Sequence, residues 1–200
     1  MLSSYARQCA GFFMPGENPM ARLTPKEAGG VNVLAFLDML AWSEGTDHPN
    51  QRSNDEGYDV LVGGQLFTDY SKHPRVSVSL PRYGIKSTAA GRYQFLARTW
   101  DAIVTNYGFI GRFIPRAQDL AAVKLLKECG ALPHIQAGRI EEAIAAAAPI
   151  WASLPGAGYG QREHKLASLL KIYADERAAE PCDRGDLLAM FTACGGELAT

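Results

Sequence analysis

Between Val33 and Ser43 runs an apolar helical segment, Val33-Leu34-Ala35-Phe36-Leu37-Asp38-Met39-Leu40-Ala41-Trp42-Ser43, which stops at Glu44-Gly45. Leu37, Leu40 and Ala41 lie seven, four and three positions before Glu44, so the helical period sets its carboxyl on the buried face. Gly45 reads as a left-handed helix stop, which leaves Glu44 in the last turn. Both settings oppose a negative charge: apolar burial desolvates it, and a helix C-terminus carries negative partial charge. A carboxyl held there stays protonated near neutral pH and can donate its proton, as a general acid on a glycosidic oxygen must. The plain alternative is a helix-ending Glu that faces solvent.

The remaining pattern predicts an α+β domain, mostly helical, with one small hairpin. Residues 1–30 carry Pro15, Gly16, Pro19, Pro25, Gly29 and Gly30 and read as a flexible lead. Tyr58–Val62 and Gln65–Thr68, joined by Gly63-Gly64, read as a β-hairpin. Period-two alternation puts Asp59 opposite the apolar face of Tyr58, Val60 and Val62. Helices follow: one from near Gly91 with Phe95, Trp100 and Ile103, and one from Pro115 to Cys129-Gly130. A third covers about Ile140 to Ser153, with Pro149 expected to kink or split it. The last carries Leu166, Leu169, Leu170 and Tyr173. The domain is expected over 31–179, with 180–200 as a loose tail. A cleft between hairpin and helices would suit a polymer, with Glu44 in its floor.

Charge is uneven although the net charge is −1. Asp38 to Asp69 holds seven acidic residues against Arg52, and Lys72 to Arg116 holds eight basic residues against Asp101. Two lobes of opposite sign could flank a cleft that holds a polar, partly anionic polymer. The basic stretch is neither dense nor built on a binding motif, which argues against nucleic acid. No run approaches a membrane span, and the short apolar stretch Cys9–Met14 does not make a secretory signal. Met20 is an alternative start. The four cysteines show no metal spacing; Cys182 and Cys194 could bridge, but reduced thiols in a cytosol are the simpler expectation. No two histidines stand three or four residues apart, so neither a metal nor another cofactor is expected.

Sugar-chain hydrolysis normally uses two carboxyls, and Asp59 is the candidate partner for Glu44, with Asp38, Asp47, Asp55 and Asp69 as alternatives. Asp59 could equally be a hairpin hydrogen bonder. Gly91-Arg92-Tyr93-Gln94 offers a guanidinium, a ring and an amide from one turn, although Tyr93 could be core and Arg92 surface. Tyr159 and Gln161 flank Gly160 in a glycine-rich loop, where a ligand can approach the backbone closely, or where the chain simply turns. Trp42, Trp100 and Trp151 fit the core better than a sugar platform.

Together these residues resemble the lambda-type lysozymes, the murein transglycosylase family of phage endolysins. The likeness runs from about Val33 to Leu170. It rests on the run through Ser43-Glu44-Gly45-Thr46-Asp47, Gly57-Tyr58-Asp59-Val60, Leu66-Phe67-Thr68-Asp69-Tyr70-Ser71, Ala90-Gly91-Arg92-Tyr93-Gln94 and Trp151–Gln161. The resemblance implies a lysozyme-like fold and cleavage of the β-1,4 bond between N-acetylmuramic acid and N-acetylglucosamine. It places the single catalytic Glu on Glu44 and implies a 1,6-anhydro product, closed by the muramic acid C6 hydroxyl without water. Asp59 then positions substrate, together with Tyr58, Arg92, Tyr93, Gln94, Tyr159 and Gln161. It also implies a monomer that acts on peptidoglycan strands, without stable membrane insertion, waiting in the host cytoplasm for a holin lesion that opens the way to the cell wall. Two other readings remain: a hydrolytic muramidase pairing Glu44 with Asp59, and a non-catalytic wall-binding phage structural protein.

Overall fold

The computed structural model describes residues 23–108 and 112–179. Expectations for 1–22 and 180–200, including most of the lead, the tail, the Met20 start and the Cys182–Cys194 pair, lie outside the described residues. Within the expected lead, α1 (Pro25–Ala28) opens with a capping box, in which Thr24 Oγ1 accepts from Glu27 N and Glu27 Oε2 accepts from Thr24 N at 2.9 Å. The other oxygen of Glu27 takes a hydrogen bond from Arg116 at 2.9 Å, which ties this turn to a helix far along the chain.

The helix α2 (Val31–Ser43) is buried all round except at Asn32 and Trp42. A helix apolar on every side belongs in the centre of a fold, and α2 packs against α1, α4 (Pro115–Glu128), α5 (Ala131–Gln136) and α7 (Leu166–Ala179). Phe36, Leu37 and Leu40 have no exposed surface, and burial of each side chain stabilises by about 1.5–3 kcal/mol. Around them the core takes in Trp100 of α3 (Ala97–Tyr107), Leu126 of α4, Ile144 of α6 (Ile140–Ala147) and Leu169 of α7. Among the described residues, no helix is long and apolar enough to cross a membrane.

Several local expectations are corrected. The sheet is a two-stranded antiparallel pair, β1 (Val78–Leu80) with β2 (Ile85–Ser87), in the register Val78↔Ser87 and Leu80↔Ile85. The Gly63-Gly64 segment does fold back, with Gly64 N–H on Leu61 C=O at 2.9 Å and a single bridge between Val60 and Leu66. It does not extend into strands, because Val62 N–H and Val60 C=O turn to Ala89 and Gly91 instead. Tyr58, Asp59, Val60 and Leu61 are all buried, so the expected alternation of faces is absent.

Helix α3 begins at Ala97 rather than near Gly91. Residues 91–94 form a tight turn closed by the Ala90–Phe95 bridge, with positive φ at Gly91 and Gln94. Helix α6 ends at Ala147, two residues before Pro149, which lacks the amide a continuing helix would need. Trp151 therefore lies beyond that helix, buried, with Nε1 donating to Tyr93 C=O at 3.1 Å.

Candidate active site

Glu44 is the C-cap of α2, its amide closing the last turn on Leu40 C=O at 2.9 Å. Gly45 takes φ 74° and donates to Trp42 C=O, while Thr46 N–H reaches Ala41 C=O at 3.1 Å. This pair of bonds is the Schellman helix stop, with glycine at the left-handed position as the sequence requires. Thr46 Oγ1 also lies 2.5 Å from Arg92 C=O, which fixes the chain leaving the helix against the 91–94 turn. The half-buried Glu44 carboxyl is raised from 4.5 to about 7, chiefly by burial, while the hydroxyl and backbone amide of Ser153 pull the other way. No charged group contributes to that displacement.

Ser153 comes from the segment after α6. Its Oγ donates to Glu44 Oε1 at 2.6 Å and lies 3.0 Å from Ser43 Oγ. Ser43 Oγ in turn donates to Leu40 C=O at 2.8 Å. His164 locks this corner: its amide donates to Ser153 C=O at 2.8 Å, and its Nε2 donates to Ser43 C=O at 3.1 Å. A carbonyl partner assigns the proton to Nε2, and burial lowers the His164 pKa, favouring the neutral ring. Trp42 packs against His164 and His48, with ring centroids 4.9 and 5.8 Å apart. The adjoining glycine-rich loop is organised by Glu163, whose two oxygens accept from Gly158 N at 2.8 Å and Gly156 N at 2.9 Å. Those amides hold the Glu163 carboxyl below its usual range.

The predicted contact residues separate into two groups. Arg92 is fully buried, paired with Asp38 at 2.7 Å and Asp47 at 2.8 Å, bonded to Glu56 C=O, and stacked on Tyr58. Tyr58 and Tyr93 are also fully buried, and both hydroxyls donate to Asp119 at 2.8 Å. Asp59 is 3% exposed, with Ser53 Oγ on one oxygen at 2.5 Å and Asn54 N on the other at 2.9 Å. These four side chains are buried and bonded within the fold. Gln94 is partly buried, its amide donating to Gly91 and Val60 carbonyls. Tyr159 and Gln161 are exposed on the glycine-rich loop, with Tyr159 OH donating to Pro149 C=O at 2.6 Å.

The alternative carboxylates are also engaged. Besides Asp38 and Asp47 on Arg92, Asp55 accepts from Tyr70 OH at 2.7 Å and Asp69 from Ser71 N at 2.8 Å. Glu44 is therefore a neutral-leaning carboxyl with serine hydroxyls for company. Sequence reasoning missed Ser43, Ser153 and Glu163. Ser153 lies 109 positions from Glu44, and no helical or strand period links residues so far apart. Among the described residues, no group of three or more His, Cys, Asp or Glu side chains is placed to hold a metal ion.

The chain has clear relatives among known proteins. A family model described as Endolysin matches residues 34–179. The endolysin of Escherichia phage lambda is 58% identical over 142 residues, covering 70% of this chain and 88% of its own. That of Escherichia phage P2 is 49% identical over 152 residues, covering 71% and 90%. The structure of bacteriophage lambda lysozyme complexed with a chitohexasaccharide superposes with a TM-score of 0.69 at 50% identity, over 78% of this chain and 96% of that one. A second lambda lysozyme structure gives 0.65 at 48% identity, over 82% and 97%. The fold is that of lambda lysozyme, and the chain belongs to the endolysin family.

Proposed function

We propose that this endolysin cleaves the β-1,4 bond between N-acetylmuramic acid and N-acetylglucosamine in peptidoglycan as a lytic transglycosylase, with Glu44 as its only catalytic carboxyl. The observation that carries the reading is the contrast between Glu44 and the other carboxylates considered. Glu44 is held near pKa 7 without a charged partner, whereas both Asp59 oxygens are buried and spent on Ser53 and Asn54. One carboxyl suffices if no water is used. Glu44 gives its proton to the leaving glycosidic oxygen as the C1–O4 bond breaks. The muramic acid C6 hydroxyl then bonds to C1 and returns its proton to Glu44, leaving a 1,6-anhydro end. Retaining hydrolysis would instead need a second carboxylate close by, free to reach the sugar ring.

A glycan strand as substrate is supported by the chitohexasaccharide bound to the lambda lysozyme. Tyr159 and Gln161, exposed beside the segment that carries Ser153, and the amide of Gln94 are the proposed contacts. Arg92, Tyr58, Tyr93 and Asp59 support them from behind. Lysis of the host would follow once a holin-type lesion admits the enzyme to the wall.

Mass spectrometry of the soluble muropeptides released from purified peptidoglycan tests this reading. Wild type and Asp59→Asn are both expected to release anhydro-muramyl ends, the variant in reduced yield because its loop is loosened. Reducing ends from wild type would overturn the transglycosylase reading and restore the two-carboxylate hydrolase.

A further inference from the structure

The acid at Glu44 faces two opposed demands, taken with the function proposed above. It must be neutral at rest to hold a proton, yet its half-buried anion must be tolerated after the proton leaves. A fixed cation would serve the second demand and defeat the first, since it would keep the carboxyl ionised at rest. The displacement of Glu44 has no charged cause; only burial and Ser153 act on it. Two hydroxyls stand in line instead, with Ser153 Oγ 2.6 Å from Glu44 Oε1 and Ser43 Oγ 3.0 Å from Ser153 Oγ.

Counting protons shows what that line can do. Each hydroxyl has one proton to donate and can also accept. When Ser153 donates to Glu44, its oxygen is free to accept from Ser43. Ser43 has two acceptors within reach, Leu40 C=O at 2.8 Å and Ser153 Oγ at 3.0 Å, and one proton for both. It can hold the helix carbonyl while Glu44 is neutral, then turn to Ser153 when Glu44 is charged. A hydroxyl that accepts a hydrogen bond donates more strongly, and a bond to an anion is roughly twice as strong as a neutral one.

We propose that Ser43 and Ser153 form a switching donor chain, swung onto Glu44 as it gives up its proton and released to Leu40 C=O as the proton returns. Both are positioning residues. Each hydroxyl keeps its own proton throughout, and only the direction of the Ser43 bond changes. The chain is built across the fold: Ser43 is the last residue of α2, 4% exposed, and Ser153 is held by the His164 amide. Of the other titratable groups at this corner, Asp47 pairs with Arg92, Glu163 accepts from the loop amides, His164 donates to Ser43 C=O, and His48 packs on Trp42. Arg162 acts on His164, and Glu176 of α7 lies within electrostatic reach of Asp47 and Arg92, but neither is among the causes that move Glu44.

The test is a carbon-13 NMR titration of the Glu44 carboxyl in the whole protein, in wild type, Ser153→Ala, Ser43→Ala and Ser43→Thr. Removing donors to the anion is expected to raise the Glu44 pKa, by about half a unit or more in Ser153→Ala and by less in Ser43→Ala. Ser43→Thr keeps the hydroxyl and is expected to titrate with wild type. A serine that served only as packing would admit water when truncated and lower the Glu44 pKa towards that of an ordinary Glu. A downward shift in either alanine variant, an unmoved Ser43→Ala, or a Ser43→Thr that follows Ser43→Ala would overturn the proposal. Activity of Glu44→Gln decides the acid assignment separately, because the titration needs no substrate.

Discussion

At the scale of the residue, Glu44 is a group whose chemistry works against the stability of the fold. Its folded-state pKa, about 7, lies above the ordinary value of 4.5, so the folded protein binds more protons than the unfolded chain between those values. The contribution of Glu44 to stability is therefore fully present below about pH 4.5, falls as pH rises, and levels off above about pH 7. Glu44→Gln keeps the shape and removes the ionisation. It is expected to match wild type at pH 4 and to exceed it at pH 8 by about 2 kcal/mol, measured by chemical denaturation across that range. That is less than the full shift would give, because the half-buried carboxyl keeps some solvent screening. Equal stability at both pH values would show that the carboxyl is not desolvated. Its place at the end of α2 was legible in sequence, because helical spacing and a following glycine are local signals. Its partners were not: Ser153 reaches Glu44 only after α2 and the segment beyond α6 have packed.

At the scale of elements, strong periodicity was easier to read than tight turns. Helices α2, α4 and α7 stand close to where apolar spacing, Pro115 and Gly45 put them, because each signal acts within a few residues. The stretch 91–94 was misread as a helix start. Arg92 and Tyr93 are fully buried there, drawn inward by Asp38 and Asp119, partners that sequence distance hides. Gly91 makes the turn possible. It has φ 77°, and a Cβ on it would collide with Gln118 Oε1 and sit 2.8 Å from Phe113 Cζ. Gly91→Ala is expected to destabilise the protein by about 2–4 kcal/mol, read as a lowered thermal midpoint. A midpoint unchanged from wild type would mean that the turn yields readily and does not fix the site. The glycine-rich loop shows the opposite case, where the turn itself was legible from its glycines but its anchor, Glu163, was not.

At the scale of the whole molecule, the uneven charge seen along the chain is partly cancelled inside the fold. Arg92 from the basic stretch is enclosed by Asp38 and Asp47 from the acidic one, and so joins α2 to the turn that backs the site. The structure thus holds a neutral-leaning acid at the end of its central helix, on a scaffold whose other candidate carboxylates have structural partners. The most direct test is the rate at which purified Glu44→Gln solubilises peptidoglycan, at pH 6 and with its fold checked by thermal unfolding. The account predicts a folded protein whose rate falls by about 10²–10⁴-fold or more, as expected when a general acid is removed. A folded variant with a rate within about threefold of wild type would contradict the account and move the chemistry to another group.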